Sequence, residues 1–63
     1  GFERKGNKEF KKFLYISKGS CAEVRSMLYL AFDLKYISQS QLADLQFRTE
    51  EISRLLSGFI KTL

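Results

Sequence analysis

Sixty-three residues with a net charge of +4 and 44% apolar side chains allow one small basic domain at most. Six Phe and three Tyr are too many for a disordered tail, and the longest apolar run, residues 27–32, is too short for a membrane span. One Cys and no His exclude an internal disulfide and a structural zinc site.

The chain opens on its charge. Residues 1–18 carry Arg4, Lys5, Lys8, Lys11, Lys12 and Lys18 against Glu3 and Glu9, whereas residues 19–63 carry five basic and five acidic side chains. All of the net charge therefore lies in the first 18 residues. Such a cluster is the electrostatic footprint of phosphate binding, because each neutralised phosphate releases counterions. It equally fits a solvated helix end that keeps a protein soluble. The Gly1 start reads as a fragment or a processed chain.

The first predicted helix runs from about Asn7 to Leu34, a rod of about 42 Å at 1.5 Å per residue. Phe10, Leu14, Ser17, Cys21, Val24, Leu28 and Ala31 alternate by four and three, a heptad seam. Gly19-Ser20-x-x-Glu23 resembles a helix stop followed by a capped restart. The seam passes through it without a skip, so one continuous helix is expected, with Gly19 and Ser20 admitting close approach of a neighbouring helix. A mid-helix Gly costs about 1 kcal/mol relative to Ala, which something should compensate. Beyond the seam lie Phe13, Ile16, Met27, Leu30 and Leu34, then Tyr15, Tyr29, Phe32 and Tyr36 on further faces. A helix apolar most of the way round is buried against several partners, and one hairpin mate covers only one stripe. Phe13, Tyr15, Ile16, Met27, Tyr29, Leu30 and Phe32 are accordingly the expected oligomer interface.

Lys35-Tyr36-Ile37-Ser38 forms the short connection, with Ser38 and Gln41 in capping-box spacing. The second predicted helix covers about residues 39–62, where Leu42, Leu45, Thr49, Ile52, Leu56, Phe59 and Leu63 alternate by three and four. Two helices joined by a short loop are antiparallel neighbours. The fold class is all-α, an antiparallel two-helix hairpin forming a single unit over residues 1–63. A chain of this length buries only about 60% of the surface its unfolded form exposes, so a partner is expected, first of all another copy.

Reaction chemistry is hard to assemble from these residues. Without His, the acids and bases would be carboxylates, Lys or Tyr, and no clustered pair stands out. Glu50 and Glu51 are adjacent on a helix and point apart. Glu9, Ile16, Glu23, Leu30 and Ile37 share one heptad stripe; its two carboxylates read as satisfied structural groups, not as a metal or acid site. Gly1-x-x-x-x-Gly6 mimics half of a phosphate loop, but Asn7-Lys8 follows where Lys and then Ser or Thr are required. Cys21 sits on the seam as a small core hydrophobe. The expectation is a protein without catalytic residues, metal, cofactor or small-molecule substrate. It does not associate with a membrane and works in the reducing cytoplasm, where a lone thiol is at home.

Gly1-Phe2-Glu3-Arg4, Lys8-Glu9-Phe10, Phe13-Leu14-Tyr15-Ile16, Gly19-Ser20-Cys21-Ala22-Glu23, Leu28-Tyr29-Leu30-Ala31 and Tyr36-Ile37 form one collinear pattern. It resembles the four-helix bundle proteins encoded in intervening sequences of bacterial 23S ribosomal RNA genes. That family's pattern runs approximately AEGxGR, S-x-x-EF, FL-x-IA, GS-x-x-EL, LA and LGYI. No single element is specific; six in the right order are. Glu3 stands in place of a Gly, Ser17 of an Ala, Val24 of a Leu, Gly6 of the Ser of a capping box, and Lys35 of the Gly of LGYI. Asn7 is then the expected N-cap of the first helix.

The resemblance covers the whole chain and only the second half of the family. It implies the C-terminal half of an up-down four-helix bundle that assembles into a ring, typically a pentamer; a dimer of hairpins, pairing with itself, is the alternative. It also implies similarity to the small basic accessory proteins of diversity-generating retroelements, and RNA as a partner. The function expected is a non-catalytic homo-oligomer that binds RNA or another nucleic acid through Arg4, Lys5, Lys8, Lys11, Lys12 and Lys18 contacting phosphates. The alternative is a structural or protein-interaction scaffold whose charge confers only solubility. A third reading, an amphipathic helix lying on a membrane surface, suits the sequence less well, because its lysines flank a broad apolar band.

Overall fold

A computed structural model describes residues 2–63, with side chains from Gly6 onward. The described chain is two helices, α1 (Phe2–Asp33) and α2 (Gln39–Thr62), packed as a hairpin 51 Å long and 15 by 11 Å in section. No strand occurs among the described residues.

α1 begins at Phe2, ahead of the expected Asn7, so Asn7 lies inside the helix and does not cap it. Gly6 and Asn7 are poor helix formers, but each costs at most about 1 kcal/mol, too little to end a helix that has good formers on both sides. α1 also continues through Gly19 and Ser20. The Ser17 hydroxyl donates to the Phe13 carbonyl at 2.9 Å, and the Ser20 hydroxyl donates to Ile16 at 3.1 Å. Both serines thus satisfy their polar atoms on the preceding turn, which keeps them compatible with a helix interior. The close approach expected at Gly19 does not come from α2: a methyl group built there meets nothing within 4 Å.

α1 ends in a left-handed residue. Lys35 has φ +66°, its N–H donates to the Phe32 carbonyl at 2.9 Å, and the Tyr36 N–H donates to Ala31 at 2.9 Å. These two bonds make a Schellman stop, with Lys35 where Gly is usual. Ser38 then starts α2 as an N-cap with extended backbone. Its hydroxyl accepts from the Gln41 N–H at 3.1 Å, and the Gln41 side chain accepts from the Ser38 N–H at 2.8 Å. The reciprocal capping box satisfies two donors that the first turn would otherwise leave open.

Arg25 marks the register across the hairpin. Its guanidinium donates to Gln46 Oε1 at 3.2 Å and approaches Glu50 at 3.4 Å, while the Gln46 amide returns a bond of 3.1 Å to the Arg25 carbonyl. That register sets Leu14 opposite residues 57–60. Leu14 is 3% exposed, the one buried apolar side chain among the described residues, and Thr49, 8% exposed, donates its hydroxyl to the Leu45 carbonyl at 2.8 Å.

The phase of α2 departs from the expected seam. The residues withdrawn from solvent are Leu42, Gln46, Thr49, Glu50, Ser53, Leu56, Ser57 and Ile60, whereas Leu45, Ile52 and Phe59 are exposed. The polar members fit because Gln46 and Thr49 have the partners just given. On α1, Leu14, Ser17, Cys21, Leu28, Ala31 and Phe32 are covered, while Phe10 and Val24 stay open. A single hairpin is too narrow to cover its own apolar stripes.

Candidate nucleic-acid interface

At about 100° per residue, the side chains of α1 divide into three faces. One holds Leu14, Cys21, Leu28 and Phe32 and meets α2. A second holds Phe13, Ile16, Met27, Leu30 and Leu34, all exposed, with Met27 at 67%. The third holds Lys8, Lys11, Lys12 and Lys18 within an arc of about 120°, with Tyr15 at its centre. Lys8, Lys12 and Lys18 are exposed and Lys11 is half-buried toward α2. No ion pair joins these four lysines to an acid among the described residues. Arg4 and Lys5, expected in the same cluster, lie outside the residues whose side chains are described.

The partner helix continues both outer faces. The Arg25–Glu50 pair marks the lysine side of the hairpin, and Arg54, 3.9 Å from Glu50, extends it. Lys61 follows on the same stripe, since Glu50, Arg54, Ser57 and Lys61 are spaced by four, three and four. Of the exposed apolar residues of α2, Phe47, one heptad before Arg54, lies on the lysine side, whereas Leu45, Ile52, Leu55 and Phe59 fall on the opposite side. Antiparallel helices reverse the sense of rotation, so this stripe and the Phe13–Met27 band of α1 share one side of the hairpin. The hairpin thus has a lysine-rich flank, which also carries Phe47, and a mainly apolar flank, which also carries the exposed Glu9, Glu23 and Arg48.

The expected oligomer interface is thereby divided. Phe13, Ile16, Met27 and Leu30 lie together on the apolar flank. Tyr15 and Tyr29 lie with the lysines, and Phe32 is half-buried within the hairpin. Glu9 and Glu23 are exposed, and neither has an ion-pair partner among the described residues, contrary to the expected satisfied pair. Sequence reasoning placed the net charge in residues 1–18 and passed over Arg54 and Lys61. Nothing in their local pattern marks them, because only the register across the hairpin brings them to the lysine side.

Among the described residues no three His, Cys, Asp or Glu side chains gather where a metal ion would sit. A shallow open groove of about 570 Å³ runs along one face of α2, lined by Glu51, Arg54, Leu55, Gly58, Phe59 and Thr62. Among the described residues no helix is long and apolar enough to cross a membrane.

Fold and surface together define a small helical protein whose distinguishing features are its two flanks. The chain belongs to the 23S rRNA-intervening sequence protein family, whose model matches residues 1–58. No curated protein and no solved structure matches it.

Proposed function

We propose that this chain is a non-catalytic cytoplasmic protein that binds RNA through its lysine flank and associates with further copies of itself through its apolar flank. The observation that carries the reading is the clustering of Lys8, Lys11, Lys12 and Lys18 within an arc of about 120° around Tyr15 on a single helix. Unpaired lysines on one rigid face suit a polyanion, and the contacts would be to phosphates, which position a nucleic acid without reading its bases. Arg4 and Lys5 continue the cluster in sequence. The family name, which refers to an intervening sequence of 23S rRNA, favours RNA over DNA.

Exposed area supports self-association. The hairpin exposes 5261 Å², against about 4,200 Å² for a compact monomer of its mass. The excess, about 1,100 Å², exceeds the roughly 800 Å² that each partner contributes to a standard interface. Each added copy presents another lysine flank, and repeated weak phosphate sites on one rigid body gain avidity. A ring and a dimer of hairpins both satisfy this arithmetic.

The test is fluorescence anisotropy of a labelled structured RNA titrated with wild type, with K11Q/K12Q and with M27K. Weaker binding by K11Q/K12Q at unchanged helicity supports the reading, and M27K should lose both assembly and the avidity that comes with it. RNA binding that is the same for all three proteins, or absent from helical wild type, would leave the chain as an interaction scaffold.

A further inference from the structure

The lysine flank holds one group that phosphate contact does not use. Tyr15 is 57% exposed, and its phenol has no hydrogen bond among the described residues. Its neighbours one helical turn away are Lys11 and Lys12 on one side and Lys18 and Gly19 on the other. Gly19 has nothing within 4 Å of where a side chain would begin, so the surface beside the ring is open. Tyr29, 55% exposed on the same side, has a different setting. Its turn neighbours are Arg25, held by Gln46 and Glu50, together with Ser26, Phe32 and Asp33.

We propose that Tyr15 is a stacking platform for an unpaired base, so that the flank prefers single-stranded over double-stranded RNA. Burying Tyr15 in a protein interface would require desolvating the lysines around it, which is costly unless each finds a partner. A single-stranded polyanion meets both needs, since its phosphates take the lysines and its bases offer π-faces to the ring. A duplex keeps its bases stacked internally and offers the ring nothing. The bare backbone at Gly19 leaves open space beside the ring for a stacked base. This inference rests on the RNA-binding reading above and adds to it the class of RNA.

The chain has no Trp, so its tyrosines are its fluorophores. The variant Y29F/Y36F leaves Tyr15 as the sole tyrosine. Its emission is followed while adding an oligouridylate of about ten nucleotides, an RNA duplex with the same number of phosphates, or inorganic polyphosphate. Quenching by the single strand and not by polyphosphate is expected. In parallel, Y15L should weaken oligouridylate binding about fivefold or more, the low end of base–aromatic stacking. It should change duplex and polyphosphate binding less than twofold, and Y15F should restore the single-strand affinity. Salt-sensitive binding of all three probes with Y15L indistinguishable from wild type would overturn the platform and leave the phosphate reading standing. No binding of any probe by helical protein would overturn both.

Discussion

Lys35 occupies a left-handed conformation that costs an L-residue with a Cβ roughly 1–2 kcal/mol. Lys35→Gly should therefore stabilise the hairpin by about 0.5–1 kcal/mol, after allowing for the added freedom of Gly in the unfolded chain, read as a rise in urea midpoint. Ser38→Ala removes the hydroxyl that accepts from Gln41 and should cost about 1 kcal/mol in the same measurement. Gly19→Ala should gain about 1 kcal/mol for the isolated hairpin, since the new methyl group meets nothing. If Gly19→Ala instead weakens assembly, a neighbouring copy occupies that space. These sites differ in legibility. The Ser38–Gln41 box is visible in sequence because both partners lie within three residues and both bonds are local. The Lys35 stop is signalled only by the family resemblance, which has Gly at that place, because a lysine by itself gives no hint of a positive φ.

At the scale of the elements, the helices and their antiparallel order follow from apolar spacing and loop length, while the phase of α2 does not. Two stripes compete on that helix and share Leu42, Thr49 and Leu56. One continues through Leu45, Ile52 and Phe59, the other through Gln46, Ser53 and Ile60. Periodicity selects the more apolar stripe, yet α1 faces the more polar one, because Arg25 finds Gln46 and Glu50 there. An apolar pattern identifies a face to be covered without saying which neighbour covers it. The Arg25–Glu50 contact is half-exposed, with side chains 44% and 42% accessible, so solvent screens it. Glu50→Gln should cost less than about 1 kcal/mol in thermal unfolding. A larger loss would mean that this pair, more than packing, holds the register.

Over the whole molecule, self-association is proposed because the hairpin buries so little by itself. One buried Leu cannot anchor a chain of this size, and the apolar flank formed by Phe13, Ile16 and Met27 with Leu45, Ile52 and Phe59 has the extent of an interface. Ile16→Lys combined with Met27→Lys should shift sedimentation equilibrium to a single hairpin mass and lower helicity together. Unchanged mass would place self-association elsewhere. The opposing lysine flank was legible as a charge cluster in sequence. Its extension onto α2 through Arg54 and Lys61 exists only once the two helices are in register.

The central claim is that the lysine flank binds RNA by displacing counterions. The measurement that tests it most directly is the slope of log affinity against log salt for a single-stranded RNA, between about 50 and 200 mM. Four to six phosphate contacts predict a slope of about −3 to −4, and K11Q/K12Q should reduce its magnitude by about 1.4. A slope near zero, or one that the double substitution leaves unchanged, would contradict it.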